Sequence, residues 1–225
     1  MYKNVSILVP FKSDNGPRAN NFNWIKKFYR EMMTGVEICI GESRTTLFSR
    51  SQAINHAAKQ ATNDIFVISD ADVIYDPSII KKSIEILDDH TWVIPYNKVF
   101  YLAKERTNKI LLSEPSWPVR HRNQGRLIQA SKGRPCVGGL NVVSRKQFEY
   151  IGGFDERFIG WGYEDNAFAT AMNTLCGPYK RLNHKLYHLW HPIKRNGNNN
   201  ERYGKYNEVD GNIEKMKKII KNRYS

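Results

Sequence analysis

Ile65-Phe66-Val67-Ile68-Ser69-Asp70-Ala71-Asp72-Val73-Ile74-Tyr75-Asp76-Pro77 is the stretch that decides how the rest of the chain is read. Ile65 to Ser69 is a short apolar run rich in β-branched residues, which predicts a buried strand. Asp70 and Asp72 follow at once, with Ala71 between them. Asp76-Pro77 then predicts an N-cap and first helical residue, opening a helix from Ser78 to about Leu87. Carboxylates at the end of a strand put hard oxygen donors at the carboxyl edge of a sheet, where open α/β sheets bind ligands. Mg2+ or Mn2+ held there keeps positions open for phosphate oxygens. Exposed turns are rich in Asp as well, so the flanking sequence has to separate the two readings.

Upstream, Val5 to Val9 reads as a first strand closed by Pro10 and Phe11, and Lys12 to Asn20 as a turn-rich loop. Asn21 to Met33 carries Phe22, Ile25, Phe28, Tyr29 and Met32 at helical spacing, and Gly35 stops it before a second strand, Val36–Ile40. Strand, helix and strand at this spacing form the unit of a parallel sheet. Glu42 follows the second strand at the same sheet edge as Asp70 and Asp72, as an acceptor for a base or ribose or as a plain loop residue. Ser49-Arg50-Ser51-Gln52 has the capping-box pattern of a third element, a helix running to Ala61. Arg50 in its first turn opposes the helix dipole, a cost that a nearby anion offsets. With Trp92–Pro95 as a further strand, the first hundred residues predict four strands and three crossovers. No Gly-x-Gly-x-x-Gly or Gly-x-x-x-x-Gly-Lys occurs, so a bound nucleotide diphosphate requires a metal to neutralise it.

Downstream, residues 104–136 read as a long basic loop with some helix around Gln124–Ala130. Order returns with the glycine-opened strand Gly138-Gly139-Leu140 to Ser144, a short helix from Arg145 to Ile151, and the turn Gly152-Gly153-Phe154. Ile159-Gly160-Trp161-Gly162-Tyr163-Glu164-Asp165 bends closely about a large flat side chain, and Glu164 and Asp165 start a helix to Leu175. Acids are favoured there by the helix dipole; the functional reading is a carboxylate beside an aromatic platform for a sugar. Lys180 to Tyr187 predicts a last strand, leading to His188-Leu189-Trp190-His191, where one imidazole could reach a metal. Residues 193–207 read as an Asn-rich loop, and a basic helix from about Val209 to Asn222 closes the chain, with Ile213, Met216 and Ile220 on one face.

At 225 residues, 40% hydrophobic and 25% charged, the composition is that of an ordinary globular domain, and no apolar run approaches the ~20 residues a membrane span needs. Three widely spaced cysteines and the absence of a signal-peptide pattern predict a cytoplasmic protein with reduced thiols. The net charge of +13 is uneven: +1 over residues 1–103, +7 over 104–145, −3 over 146–179 and +8 over 180–225. That asymmetry suggests an anionic partner or a lysine-rich solvated surface.

Taken together, these motifs resemble glycosyltransferases of the GT-A fold, family 2 type, with a carboxyl half similar to the beta-1,4-galactosyltransferases. Val5 to Phe11, Phe48 to Asn55, the Asp-x-Asp of Asp70-Ala71-Asp72, and Gly138-Gly139 through Gly153-Phe154 to Gly160–Asp165 carry the likeness, over roughly residues 4–192. The resemblance implies a single α/β domain, a mixed and mostly parallel sheet flanked by helices. Within it, 1–103 is the nucleotide-sugar half, 104–136 a basic loop, 137–192 the acceptor and catalytic half, and 193–225 a basic tail with a helix. It implies an inverting, metal-dependent hexosyltransferase using a nucleotide-diphosphate sugar, first of all a UDP-sugar. Pro10, Phe11, Glu42, Arg50, Asp70, Ala71 and Asp72 would then hold the donor. Asp70 and Asp72 would bind Mn2+ or Mg2+ with a histidine, His188 first and His191 in reserve. Asp165 would be the general base, and Gly139, Trp161, Gly162 and Glu164 would position donor sugar or acceptor. Tyr163 and Asn166 depart from the galactosyltransferase pattern, which has Gly and commonly Asp there. The acceptor is a carbohydrate or other hydroxyl. The basic segment keeps open a polyanionic one, such as hydroxymethylated DNA bases, teichoic acid or a lipid-linked glycan met by peripheral membrane contact. A non-catalytic nucleic-acid-binding protein is the competing class, with no helix-turn-helix, zinc-finger or RNP pattern behind it.

Overall fold

Strand-forming runs and capped helices alternate through the first half of the chain, and the computed structural model describes residues 2–122, 125–133, 135–192 and 197–223. β1 (Val5–Pro10) is buried at every position, as a strand covered on both faces must be. α1 (Pro17–Met32) begins earlier than the apolar spacing predicts. Pro17 suits the first turn, and the Asp14 carboxylate accepts from the Gly16, Arg18 and Ala19 N–H groups, so the turn-rich loop is itself the cap. β2 (Glu37–Gly41) follows, then α2 (Arg50–Gln60), whose Ser49 Oγ accepts from the Gln52 N–H as the capping pattern requires. β3 (Ile65–Ser69) and the two-residue β4 (Val73–Ile74) flank the acidic turn. Asp76 Oδ1 accepts from Ser78 N–H at the head of α3 (Ser78–Ile86), which leads to β5 (Trp92–Ile94).

Several elements of the second half differ from expectation. Residues 104–136, expected as a long loop, contain α4 (Lys104–Leu111) and β7 (Gly125–Gln129), and β6 (Lys98–Leu102) precedes them where no element was expected. The helix expected around 124–130 is a strand, because β7 pairs antiparallel with β6 from Lys98↔Gln129 to Leu102↔Gly125 and gains its ladder there. β8 (Leu140–Ser144) leads into α5 (Arg145–Tyr150), and α6 (Glu164–Leu175) starts at the predicted acids. The single last strand is two: β9 (Lys180–Arg181) joins β5, whereas β10 (Lys185–His188) joins β4 and β6. The Asn-rich tail holds α7 (Asn200–Asn207), and α8 (Ile213–Lys221) buries Met216 while Ile213 stays half exposed. Residues 193–196 lie outside the described residues.

The main sheet runs β2-β1-β3-β8-β5-β9, with β1, β2 and β3 mutually parallel. β8 is inserted antiparallel between β3 and β5, which makes the sheet mixed, as expected. A smaller sheet, β4-β10-β6-β7, stands beside it. The core is aromatic between α6 and the sheet: Phe154 and Phe168 stack at 4.2 Å, and Trp92 meets Phe168 edge-on at 5.8 Å. Burying each such ring stabilises the fold by roughly 1.5–3 kcal/mol. Among the described residues no helix is long and apolar enough to cross a membrane.

Candidate active site

The carboxyl ends of β1, β2 and β3 define one edge of the main sheet, and the acidic turn lies on it. Asp70 leaves β3 with its N–H bonded to the Gly139 carbonyl (3.0 Å), which ties the turn to the Gly-Gly segment before β8. Gly139 sits at φ +88°, with the place of a Cβ 3.3 Å from Leu186 and 4.0 Å from Asp70 Oδ2, so a side chain there would be strained and crowded. Gly138 is tighter still, since a Cβ would run into the Asp165 carboxylate. The Tyr96 hydroxyl donates to the carbonyls of Cys136 (2.9 Å) and Gly138, holding the glycines from below.

Two charge clusters meet here. In the first, Arg50 at the head of α2 donates through Nε to Asp70 Oδ1 (2.7 Å) and through Nη1 to Asp165 Oδ1 at the head of α6. The helix start that opposes a cation is thus compensated by two carboxylates from other elements. Arg50 Nη2 is buried without a hydrogen-bond partner among the described residues. Burial raises the Asp165 carboxyl to about 7; Arg50 works against this, while Glu164 and Asp70 add to it. Glu164 is raised too, by burial first, and its Oε2 accepts from the Gly162 N–H (3.2 Å).

In the second cluster, Asp72, His188 and His191 bring one ligand atom each within 4.8 Å of one another. His188 Nε2 lies 3.5 Å from Asp72 Oδ1, and His191 Nε2 lies 3.2 Å from Asp72 Oδ2. The main chain sets this up: Leu189 N–H donates to the Asp72 carbonyl (2.8 Å), and His188 pairs with Val73. Burial alone would raise the Asp72 carboxyl, but His188, His191 and Arg18 (3.5 Å) outweigh it and hold it well below the usual carboxylate range. The bond to Asp72 outweighs burial at His191 and raises its imidazole. Each histidine donates Nδ1–H to the carbonyl of its following residue, at 2.9 Å to Leu189 and Pro192 respectively. In the neutral rings Nε2 is therefore an acceptor facing acceptor oxygens, and the arrangement calls for a proton or a cation between them. Two imidazoles and a carboxylate, tautomers set from outside, form a donor set that fits Mn2+.

Asp70 stands apart from this cluster, engaged by Arg50. Pro10 is buried, Phe11 packs on Phe22 at 4.6 Å, Ala71 is buried, and Glu42 is exposed with its N–H on His56 Nδ1. Trp161 is 58% exposed on the loop before α6, Gly162 has φ +112°, and Tyr163, at φ +68°, stacks on Tyr203 of α7 at 5.0 Å. Arg18, Tyr96 and Tyr101 are site residues that the sequence did not suggest. The β-branched and aromatic run Val99-Phe100-Tyr101 was the available signal for the last. Of the basic segment, Arg120 and Lys132 are exposed, Arg122 donates to the Val119 carbonyl (2.9 Å), Arg126 lies over Tyr101, and Arg134 falls outside the described residues.

No curated protein matches the chain. Among solved structures, the catalytic domain of Drosophila beta-1,4-galactosyltransferase 7 in complex with xylobiose aligns at 16% identity and TM-score 0.53, covering 85% of this chain and 74% of that one. The mannosyltransferase PcManGT from Pyrobaculum calidifontis, in complex with GDP-Man and Mn2+, aligns at 15% identity and TM-score 0.50, covering 92% of this chain and 61% of that one. At such identities the likeness is one of fold, the GT-A fold. A galactosyltransferase model, described as an N-terminal domain, matches residues 128–192, the segment of the Gly-Gly and Gly-Trp-Gly motifs. The acidic turn, the Arg50 helix and the strands that carry them fall within residues 21–152, which match the model of glycosyl transferase family 2 over more than half of the chain, and the chain belongs to that family of glycosyltransferases.

Proposed function

We propose that the protein transfers a sugar from a nucleotide-diphosphate sugar to an acceptor hydroxyl, with metal assistance and inversion at the anomeric carbon. The observation that carries this is the meeting of the Asp72–His188–His191 cluster and the Arg50–Asp70–Asp165 cluster at one sheet edge. Residues 1–103 supply the donor side and 137–192 the acceptor side and base. Asp72, His188 and His191 would hold Mn2+ or Mg2+, which when bound neutralises the diphosphate and assists its departure. Asp70, paired with Arg50 here, would stand beside that donor set as a further carboxylate. A UDP-sugar is the first donor class and a GDP-sugar the second, the latter because the fold neighbour PcManGT was solved with GDP-Man and Mn2+.

Asp165 is the general base. Its carboxyl sits near neutrality, where a base is most effective, and its second oxygen faces the backbone opening left by Gly138. It takes the proton of the acceptor hydroxyl as that oxygen attacks from the face opposite the diphosphate; a single displacement inverts the centre. Arg50 orients Asp165 and presents a cation to the donor side. Exposed Trp161 offers a flat wall to a sugar, and Glu164 fixes the Gly162 turn beneath it. Thiols at Cys39, Cys136 and Cys176 fit a reducing, cytoplasmic setting. The test is nucleotide release by the purified chain from a panel of UDP- and GDP-sugars, with Mn2+ and with EDTA. Release from one nucleotide class, lost in EDTA, is expected; release that survives EDTA overturns the metal-dependent reading.

A further inference from the structure

The smaller sheet carries a row of side chains that no motif announces. β10 and β6 place His188 opposite Tyr101, and β6 and β7 place Tyr101 opposite Arg126. The Tyr101 ring lies on the His188 imidazole, centroids 4.9 Å apart and planes 29° from parallel. Arg126 covers Tyr101 from outside at 5.5 Å, and His191 flanks His188 on the inner side at 5.2 Å. Resting on the metal reading above, we propose that Tyr101 is a positioning residue of the metal centre: its ring walls one face of the His188 imidazole and keeps Nε2 turned toward Asp72, with Arg126 clamping it from behind.

The physical reason lies in what the backbone leaves free. Strand pairing with Val73 fixes the Cα of His188, and the Nδ1–H bond to Leu189 fixes one ring edge. Rotation about the last side-chain torsion of histidine is broad, so a ring held only at one edge still swings. A flat neighbour on its face removes that freedom and prepays the ordering that metal binding would otherwise require. Tyr101 is 37% exposed, so it is not holding the core together. What matters at this position is a flat face, with the hydroxyl dispensable.

Mn2+ alone, titrated into the full chain by calorimetry, tests this. Tyr101→Phe should bind as the wild type does. Tyr101→Ala and Tyr101→Leu should each bind about 10-fold more weakly, the loss typical of removing an outer partner of a metal-bound histidine. The leucine variant keeps the bulk without the flat face, and thermal melts of all three verify folding. Arg126→Ala should shift affinity in the same direction by less. Wild-type affinity in both the alanine and leucine variants overturns the positioning role, provided His188→Ala binds poorly. If the wild type and His188→Ala bind Mn2+ alike, or neither binds, the metal reading itself fails and the positioning role falls with it.

Discussion

The site sets one acid among two imidazoles and a guanidinium beside one cation among acids. Asp72 is surrounded by His188, His191 and Arg18, and its carboxyl is held down; Arg50 is surrounded by Asp70, Glu164 and Asp165, and Asp165 is pushed up to about 7. Burial raises both carboxyls, so it does not set their opposite directions. The count of opposite charges does. The first environment suits a permanent anion that holds a cation, and the second suits a carboxyl that exchanges its proton near neutral pH.

The sharpest way to break this comparison is to delete the permanent anion. Asp72→Ala should bring metal-stimulated turnover to background while leaving the fold intact, and His188→Ala and His191→Ala should each raise the Mn2+ concentration needed for half-maximal rate. Full activity of Asp72→Ala would remove the first cluster from the chemistry.

Asp165→Asn comes next. An amide keeps the shape and cannot take the proton, so turnover should fall ~10²–10⁴-fold with donor affinity nearly unchanged. Single-turnover rates beside donor titrations measure the split, and an equal loss in both would make Asp165 a binding group only.

The third concerns the shared cation. Arg50→Ala leaves Asp70, Glu164 and Asp165 facing one another, and breaking a buried pair of this kind costs about 3 kcal/mol in stability. A denaturant midpoint equal to that of the wild type would show that the acids simply protonate in its absence.

The pH dependence sharpens the same contrast. As Asp165 must be ionised to act, kcat/KM should rise through an apparent pKa near 7 and lose that limb in Asp165→Asn. In stability the signs oppose. Asp165 has its folded value above the unfolded one, so its contribution is present below about pH 4 and is lost as pH rises toward 7. Asp72, lowered on folding, contributes above its unfolded value and loses that contribution as pH falls. Unfolding free energies from pH 2 to 8 would separate the two, because the Asp72 loss lies below about pH 4 and the Asp165 loss above it.

The smallest effect concerns the acceptor. Arg120 and Lys132 are exposed on the basic segment. With a neutral glycan acceptor, Arg120→Glu combined with Lys132→Glu should leave KM and its salt dependence nearly unchanged. With a polyanion, KM should rise with salt in proportion to the phosphates contacted, and the double variant should flatten that slope.

Local chemistry was enough to read much of the first half of the fold from the sequence. The apolar run Ile65–Ser69, the Ser49 cap and the acids opening α6 each carry their own signal within a few residues, and each element forms where predicted. The residue types of both clusters were legible for the same reason: a carboxylate after a strand or an arginine at a helix start is conspicuous in one dimension. Tertiary structure alone decided their partners. Arg50 meets Asp165 across 115 positions, and Asp72 meets the histidines through a two-residue strand too short to carry any periodicity. The same holds for β6, β7 and β10, whose ladder exists only because each supplies hydrogen bonds that the others lack. Their short runs have no decisive period, so sequence left them as loop, helix or one long strand. Pairing across the small sheet chose the rest, and with it put Tyr101 on His188.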